Sequence, residues 1–255
     1  MAQRADIIRT EGLTVSFAGF RALNRLNFSM QVGELRVVIG PNGAGKTTLL
    51  DAICGKVVPS EGRVLFKGND LRGLNEHEIV HRGIGRKFQT PSIYRDHTVF
   101  ENLELSYKAK KTVFSTLFAR RTPKQQEQIE RILELIGLQD KHGYRGGALS
   151  HGEKQWLEIG MVIVQDPDLL LIDEPVAGMT DDESAKTGEL LTSIAQDQAI
   201  LVIEHDMAFV RQIAQTVTVL HEGALLCEGP VDQVQRDPRV IEIYLGREKH
   251  AGAAH

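Results

Sequence analysis

Short apolar runs separated by polar turns fill the chain, and two periodicities alternate along it. Residues 7–32 carry the period of strands. Ile7-Ile8-Arg9 and Leu13-Thr14-Val15-Ser16-Phe17 precede a turn at Ala18-Gly19, and Leu23 to Met30 alternates around Leu26, Phe28 and Met30. Leu35 to Ile39 is a short apolar strand that leads into the glycine-rich stretch Gly40–Thr48, and Leu49-Leu50-Asp51-Ala52-Ile53 continues as helix. Pro59–Gly62 is a turn, Arg63–Phe66 a strand, and Lys67–Asp70 a second turn. The next strand is Ile84–Gln89. Pro91 keeps a helix from starting at once, which places Gln89 where strand becomes loop.

From Val99 the period becomes helical. Thr122 reads as an N-cap with Pro123 at the first helical position and Gln125 completing a capping box. Ile129, Ile132, Leu133 and Ile136 share one apolar face, and Gly137 stops the helix. Ser150 and Glu153 repeat the capping-box spacing at a second start, whose helix runs through the packing residues Trp156 and Met161 toward Pro167. Leu169–Ile172 and Ala199–Ile203 are continuously apolar, as strands buried on both faces are. A helix over Asp181–Ala195 separates them. Beyond lie a helix over Met207–Ala214, strands Val217–Leu220 and Ala224–Gly229, a short helix Arg239–Leu245 and a frayed tail. Strands alternating with helices predict an α/β fold with a mainly parallel sheet core. An antiparallel β layer should occupy the N-terminal part, and helices inserted at about 93–160 should divide the core into 1–92 and 161–255.

Composition narrows the function. The chain has 255 residues, 42% of them hydrophobic and 25% charged, enough for one large domain with a subdomain. A net charge of −4 argues against general nucleic-acid binding, which needs a basic surface. The two cysteines, Cys54 and Cys227, are far apart and read as core fillers in a reducing compartment. The N-terminus is too polar for a signal peptide, and no apolar run approaches the roughly 20 residues of a membrane span. Lys108, Lys110, Lys111, Arg120 and Arg121 form a basic cluster that is either a solvated face or a docking surface.

Gly40-Pro41-Asn42-Gly43-Ala44-Gly45-Lys46-Thr47-Thr48, set between strand and helix, has the spacing of a phosphate-binding loop. Its glycines let successive N–H groups curl inward on phosphate oxygens, and the helix behind adds the positive end of its dipole. Lys46 reaches the β- and γ-phosphates, and the Thr47 hydroxyl is a ligand for Mg²⁺. Asp173 and Glu174 end a buried strand with side chains expected on opposite faces. One can hold Mg²⁺ while the other serves as general base for a water. His205, past the end of another buried strand, falls on the same sheet edge. There it can bond the γ-phosphate or orient the water, although a lone histidine is more often structural.

Gly40–Thr48, Gln89, Leu149-Ser150-His151-Gly152-Glu153, Leu169–Glu174 and His205, in that order, resemble the Walker A, Q-loop, signature, Walker B and switch-histidine motifs of ABC transporter ATPase subunits. The resemblance covers nearly the whole chain. It implies a P-loop NTPase fold, Mg²⁺-dependent hydrolysis of ATP, and a head-to-tail dimer with two ATPs between its subunits. Lys46, Thr47 and Thr48 of one chain would hold each ATP, and Ser150, Gly152 and Glu153 of the other would close over it. Glu174, His205 and Gln89 would be catalytic, and Thr47, Gln89 and Asp173 would hold the metal. Phe17 matches the adenine-stacking position, with Phe20 as a competitor and a core phenylalanine as the plainer reading. The partners implied are a second ATPase subunit, identical or related, transmembrane permease subunits and, indirectly, a solute-binding protein. Nucleic acid is not among them. The chain would then be cytoplasmic, peripheral on the inner face of the cell membrane.

His151 and Glu153 depart from the glycine and glutamine of the common signature, and Thr180 stands where many relatives carry aspartate. Glu153 either slows turnover near a polyanion or is drawn back to the Ser150 N–H. Gly85–Gln89, Thr98–Leu103, Gln155–Glu158 and Pro175–Thr180 resemble urea-importer ATPases most, with branched-chain amino acid importers as the alternative. A non-transport ABC protein, a regulatory module that holds ATP without turnover, and a P-loop kinase are the rival classes. The first usually has paired cassettes or long coiled-coil insertions, and the last has no use for the 150–153 segment or His205.

Overall fold

The computed structural model describes residues 5–87, 92–107 and 122–243. Gln89, the basic cluster between Lys108 and Arg121, and the end of the expected helix at 239–245 therefore lie wholly or partly outside the described residues.

Two sheets share the chain. The first is antiparallel, in the order β2-β1-β4-β5: β1 (Asp6–Phe17), β2 (Phe20–Gln31), β4 (Glu61–Phe66) and β5 (Asn69–Asp70). The short β segments expected over 7–32 are one long hairpin. The polar interruption at 10–13 is a register irregularity within β1, where Thr10 pairs with Phe28 and Leu13 with Leu26, and does not break the strand. The Thr10 hydroxyl bridges that step, donating to the Leu26 carbonyl and accepting from Phe28 N–H, both at 2.9 Å.

The second sheet has the order β10-β9-β3-β8-β7-β6. Its parallel strands are β3 (Leu35–Ile39), β6 (Ile84–Lys87), β7 (Leu169–Asp173), β8 (Ala199–Ile203) and β9 (Thr216–His221), with β10 (Ala224–Gly229) antiparallel at one edge. Every residue of β3, β7 and β8 is buried. Layers covering both faces require this, and it explains why these strands read as continuous apolar runs. On one face lie the hairpin sheet and α1 (Lys46–Ile53), which buries Leu49, Leu50, Ala52 and Ile53. Helices cover the other.

α2 (Glu76–Arg82) was not anticipated. It has a full capping box between Asn75 and Glu78 and ends at left-handed Gly83. α3 (Val99–Ser106), α4 (Pro123–Leu135) and α5 (His151–Ile163) pack together beside the sheet through Leu103, Ile129, Ile132, Ile136 and Leu157. At the start of α4 the Thr122 hydroxyl accepts from Gln125 N–H at 3.2 Å, but the return bond of the expected box is not among the described contacts. Proline at N1 already removes one orphan donor there. α6 (Asp181–Ile194), α7 (Met207–Ile213), α8 (Val231–Gln235) and a helical segment at 238–243 complete the order. Cys54 is buried, Cys227 half-buried, and both are free.

The two sheets are tied by polar contacts as well as by burial. Arg36, on β3, bonds Glu34, Thr218 and Glu228 while its guanidinium lies 5.6 Å from the centre of the Phe28 ring in the hairpin. Core truncation in the central strands should be expensive. Leu171→Ala, at a position with no exposure, should lower stability by about 2–5 kcal/mol. Urea unfolding should show the midpoint falling with an unchanged slope.

Candidate functional site

The phosphate loop joins β3 to α1 and is held open by its neighbours. Gly45 has φ 98°, and a Cβ there would lie 2.5 Å from the Ala22 carbonyl oxygen and 2.8 Å from Leu23 Cδ2. Gly40, with φ 154°, would place a Cβ 2.3 Å from the Leu220 carbonyl oxygen. Glycine at these two positions is thus set by close backbone approach as well as by dihedral. Gly223, in the turn after β9, donates to the Ala44 carbonyl at 3.1 Å and accepts from Asn24 N–H at 2.9 Å. The loop is therefore wedged between the hairpin and the β9–β10 turn. Inside its curl the Lys46 ammonium donates to the Gly40 and Pro41 carbonyls at 2.7 and 3.1 Å.

Strand order supplies the second part of the site. β8 lies between β3 and β7, so the phosphate loop, Asp173-Glu174 and Glu204-His205 all leave the sheet at the C-terminal ends of adjacent parallel strands. Asp173 is buried, at 4% exposure, beside the Thr47 hydroxyl. Burial pushes this carboxyl above the usual range against the pull of Arg86 and Thr47. A hydroxyl and one carboxylate side by side are hard oxygen donors of the kind that suit Mg²⁺.

Asp173 and Glu174 meet different partners, Arg86 and His205, and the backbone changes between them. The strand ends at Asp173, and Glu174 takes a left-handed backbone with φ 45° while its N–H still reaches the Ile203 carbonyl at 3.0 Å. For a residue with a side chain this conformation is strained by about 1–3 kcal/mol. The turn directs Glu174 toward His205, whose Nδ1 is 3.5 Å from Oε1. His205 is anchored from beneath: buried Glu204 accepts from the backbone N–H groups of His205 and Asp206, at 2.8 and 3.3 Å.

The signature segment is elsewhere. Ser150 caps α5, accepting from Glu153 N–H at 3.2 Å, while the Glu153 carboxylate accepts from Ser150 N–H at 2.9 Å. Lys141 donates to the same carboxylate. Burial opposes ionisation of Glu153, but bonds from Lys141 and the Ser150 N–H outweigh it and hold the carboxyl low. Of the two outcomes considered for Glu153, the chain shows the side chain drawn back and paired. Thr180 acts as N-cap of α6 in a box with Glu183. Among the described residues no hydrogen bond or ion pair joins Ser150, Gly152 or Glu153 to the phosphate loop. Phe17 and Phe20 pair at the hairpin tip and are 46% and 63% exposed, so neither is a core residue. Ala22, two positions on, is the residue that abuts Gly45.

Sequence reasoning passed over the charges that frame this edge. Arg86 donates to Asp51 at 2.6 Å and stands 3.9 Å from Asp173, which ties α1 to the end of β7. Lys87, with no exposure, lies 3.7 Å from Glu158 on α5, which also accepts from Ser92 N–H at 3.1 Å. Burial lowers the Lys87 pKa and raises that of Glu158. Cations ending an otherwise buried strand were the available signal.

Comparison with known proteins decides the family. The pattern described as ABC transporter matches residues 23–177, and that of the branched-chain amino acid ATP-binding cassette transporter matches 224–250. The chain is 33% identical to a probable branched-chain amino acid transport ATP-binding protein LivG of Methanocaldococcus jannaschii, covering 96% of this chain and 100% of that one. It is 34% identical to the high-affinity LivG of Escherichia coli K12, over 94% and 98%. The chain belongs to the ABC transporter ATP-binding family. The ADP conformation of MJ1267, an ATP-binding cassette of an ABC transporter, superposes with a TM-score of 0.81 at 32% identity, over 94% of this chain and 99% of that one. This ABC ATPase binds ATP with Mg²⁺, hydrolyses it to power import, and works as a dimer with transmembrane permease subunits. No helix among the described residues is long and apolar enough to cross a membrane.

The Lys87–Glu158 pair makes a prediction. Lys87→Met alone should destabilise the fold by about 3–5 kcal/mol by leaving a buried carboxylate uncompensated, and adding Glu158→Leu should recover most of that loss. Equilibrium unfolding of the single and double variants measures it. A double variant no more stable than Lys87→Met would show that the two charges are not coupled.

Proposed function

We propose that this chain is the ATPase subunit of an importer for branched-chain amino acids, with Glu174 as general base of hydrolysis. The observation carrying the catalytic part is the convergence of Lys46, Thr47, Asp173, Glu174 and His205 on one sheet edge, with Glu174 turned out of its strand toward His205. Lys46 and the inward N–H groups of Gly40–Thr48 bind the β- and γ-phosphates. Thr47 and Asp173 would hold Mg²⁺, with Gln89 as a further ligand, and the ion would supply charge neutralisation for the phosphates. Glu174 takes the proton from the attacking water, and His205 orients that water and the γ-phosphate. Phe17 stacks on adenine at the hairpin tip. Ser150, Gly152 and Glu153 of the second subunit close the site, α5 presenting its N-terminus to the γ-phosphate.

The solute reading rests on relatives. Resemblance of short segments puts urea first, but the LivG relatives align end to end and are branched-chain amino acid transport proteins. That likeness, with the match over 224–250, supports the alternative better than urea. The helical part at about 93–160 is read as the region that meets the permease, with the core formed by 1–92 and 161–255. The chain sits on the inner face of the membrane through that contact, beside an identical or related ATPase.

Two measurements test this. Glu174→Gln should bind ATP, turn over at least a hundredfold more slowly than the native chain, roughly the scale of a lost general base, and accumulate as a dimer. Native turnover in that variant would remove the general-base assignment, and Lys46→Ala should abolish tight ATP binding. For the solute, the complex assembled with its permease and binding protein should be stimulated in phosphate release by leucine, isoleucine or valine and not by urea. Stimulation by urea alone would reverse the order.

A further inference from the structure

His151 occupies the position of the common signature glycine, and the reaction outlined above gives it no task. Its Nε2 lies 3.0 Å from the Ala177 carbonyl oxygen. A carbonyl can only accept, so the imidazole carries its proton on Nε2 at this contact. Ala177 N–H in turn donates to the Glu174 carbonyl at 3.4 Å, closing the turn that begins at the strained base. Gly178, with φ 74°, lies against the same ring: a Cβ there would be 3.4 Å from Nε2.

Two further contacts fix this end of the helix. Gly152 presses on α6, where an added Cβ would lie 2.5 Å from Glu183 Oε1, the carboxylate that caps Thr180. Gln155, one turn after His151 and 1% exposed, has its Nε2 3.5 Å from the imidazole Nε2 and its Oε1 without a hydrogen-bond partner. Turning the amide over gives the imidazole N–H a second acceptor and the orphaned oxygen a donor.

We propose that His151 is a positioning residue for Glu174, holding the 174–178 turn against the first turn of α5. The part of the chain that closes on the partner's nucleotide and the part that performs hydrolysis in its own site are then one mechanical piece. This rests on Glu174 being the general base.

The test is made on the full chain with His151→Gly and His151→Gln. In the glycine variant kcat should fall roughly 10- to 100-fold, the scale of a small misplacement of a reacting group, while KM for ATP stays unchanged. His151→Gln, which keeps an N–H donor of similar reach, should restore most of the rate. Placed in the Glu174→Gln background, His151→Gly should leave the ATP concentration needed for dimer formation unchanged, since the nucleotide contacts are intact. An unchanged kcat in His151→Gly overturns the inference. So does a weakening of ATP-driven dimerisation equal to the loss in kcat, which would assign His151 to the nucleotide itself. Failure of the general-base reading is separate, because it appears as native turnover in Glu174→Gln alone.

Discussion

Parallel hydrogen bonding of β8 to β3 on one side and β7 on the other is the constraint from which the site follows. Residues that start three adjacent parallel strands in register must also leave them together. The phosphate loop lies more than a hundred residues before the Asp173-Glu174 pair, and Glu204-His205 lie 30 residues beyond it, yet all three emerge along one edge. Arg36 of β3 pairs with Leu201 of β8, and Leu171 of β7 pairs with the same Leu201. A slip of one residue in either ladder would turn the buried side chains of two strands to the wrong faces. The continuous apolar character of these strands therefore fixes their burial, and burial on both faces keeps them in place.

Charge is the cost of that arrangement. Asp51, Glu158, Asp173 and Glu204 stand at or near one buried edge, with Arg86 and Lys87 as the cations among them. Burial raises Asp173, Glu158 and Glu204 together. Ionic pairing inside a protein adds little net stability, because desolvation offsets most of the attraction. What it does here is join elements: Arg86 links α1 to the end of β7, and Lys87 links β6 to α5. The bridges run from the phosphate loop's own helix to the helix that opens at Ser150, and polar contacts suit a connection that must be directional.

Much of this was legible because it is periodic or punctuated. The buried strands announced themselves as unbroken apolar runs, and the caps at Ser150 and Thr122 as side-chain spacing. Glu153 shows how far such reading goes. Its capping role was visible, but the Lys141 partner that neutralises it comes from a loop twelve residues earlier, and nothing local points there. α2 was missed although Asn75, Glu78 and Gly83 spell out its ends, because its single buried residue, Ile79, leaves no apolar stripe to notice. β1 reads as two strands because a register irregularity and a buried threonine look like a polar break. Arg86 and Lys87 end an apolar strand, which is a signal, but a basic pair also resembles a solvated turn, and only the sheet shows Lys87 buried and Arg86 half-buried. The left-handed Glu174 is of the same kind, a tertiary imposition on a residue that would not choose it.

Ser150 opens the helix that carries the 150–153 segment. Its helix, α5, is fixed at its start by Ala177 and Glu183, and further along by Lys87, all within the same chain. Those contacts hold its N-terminus beside the loop that follows Glu174, and none joins it to the phosphate loop among the described residues. Among the described residues the dipole end that would stabilise a γ-phosphate thus has no hydrogen bond or ion pair to the loop that would hold one. In the proposed head-to-tail dimer a second subunit would supply that end, and each chain would do so for the other.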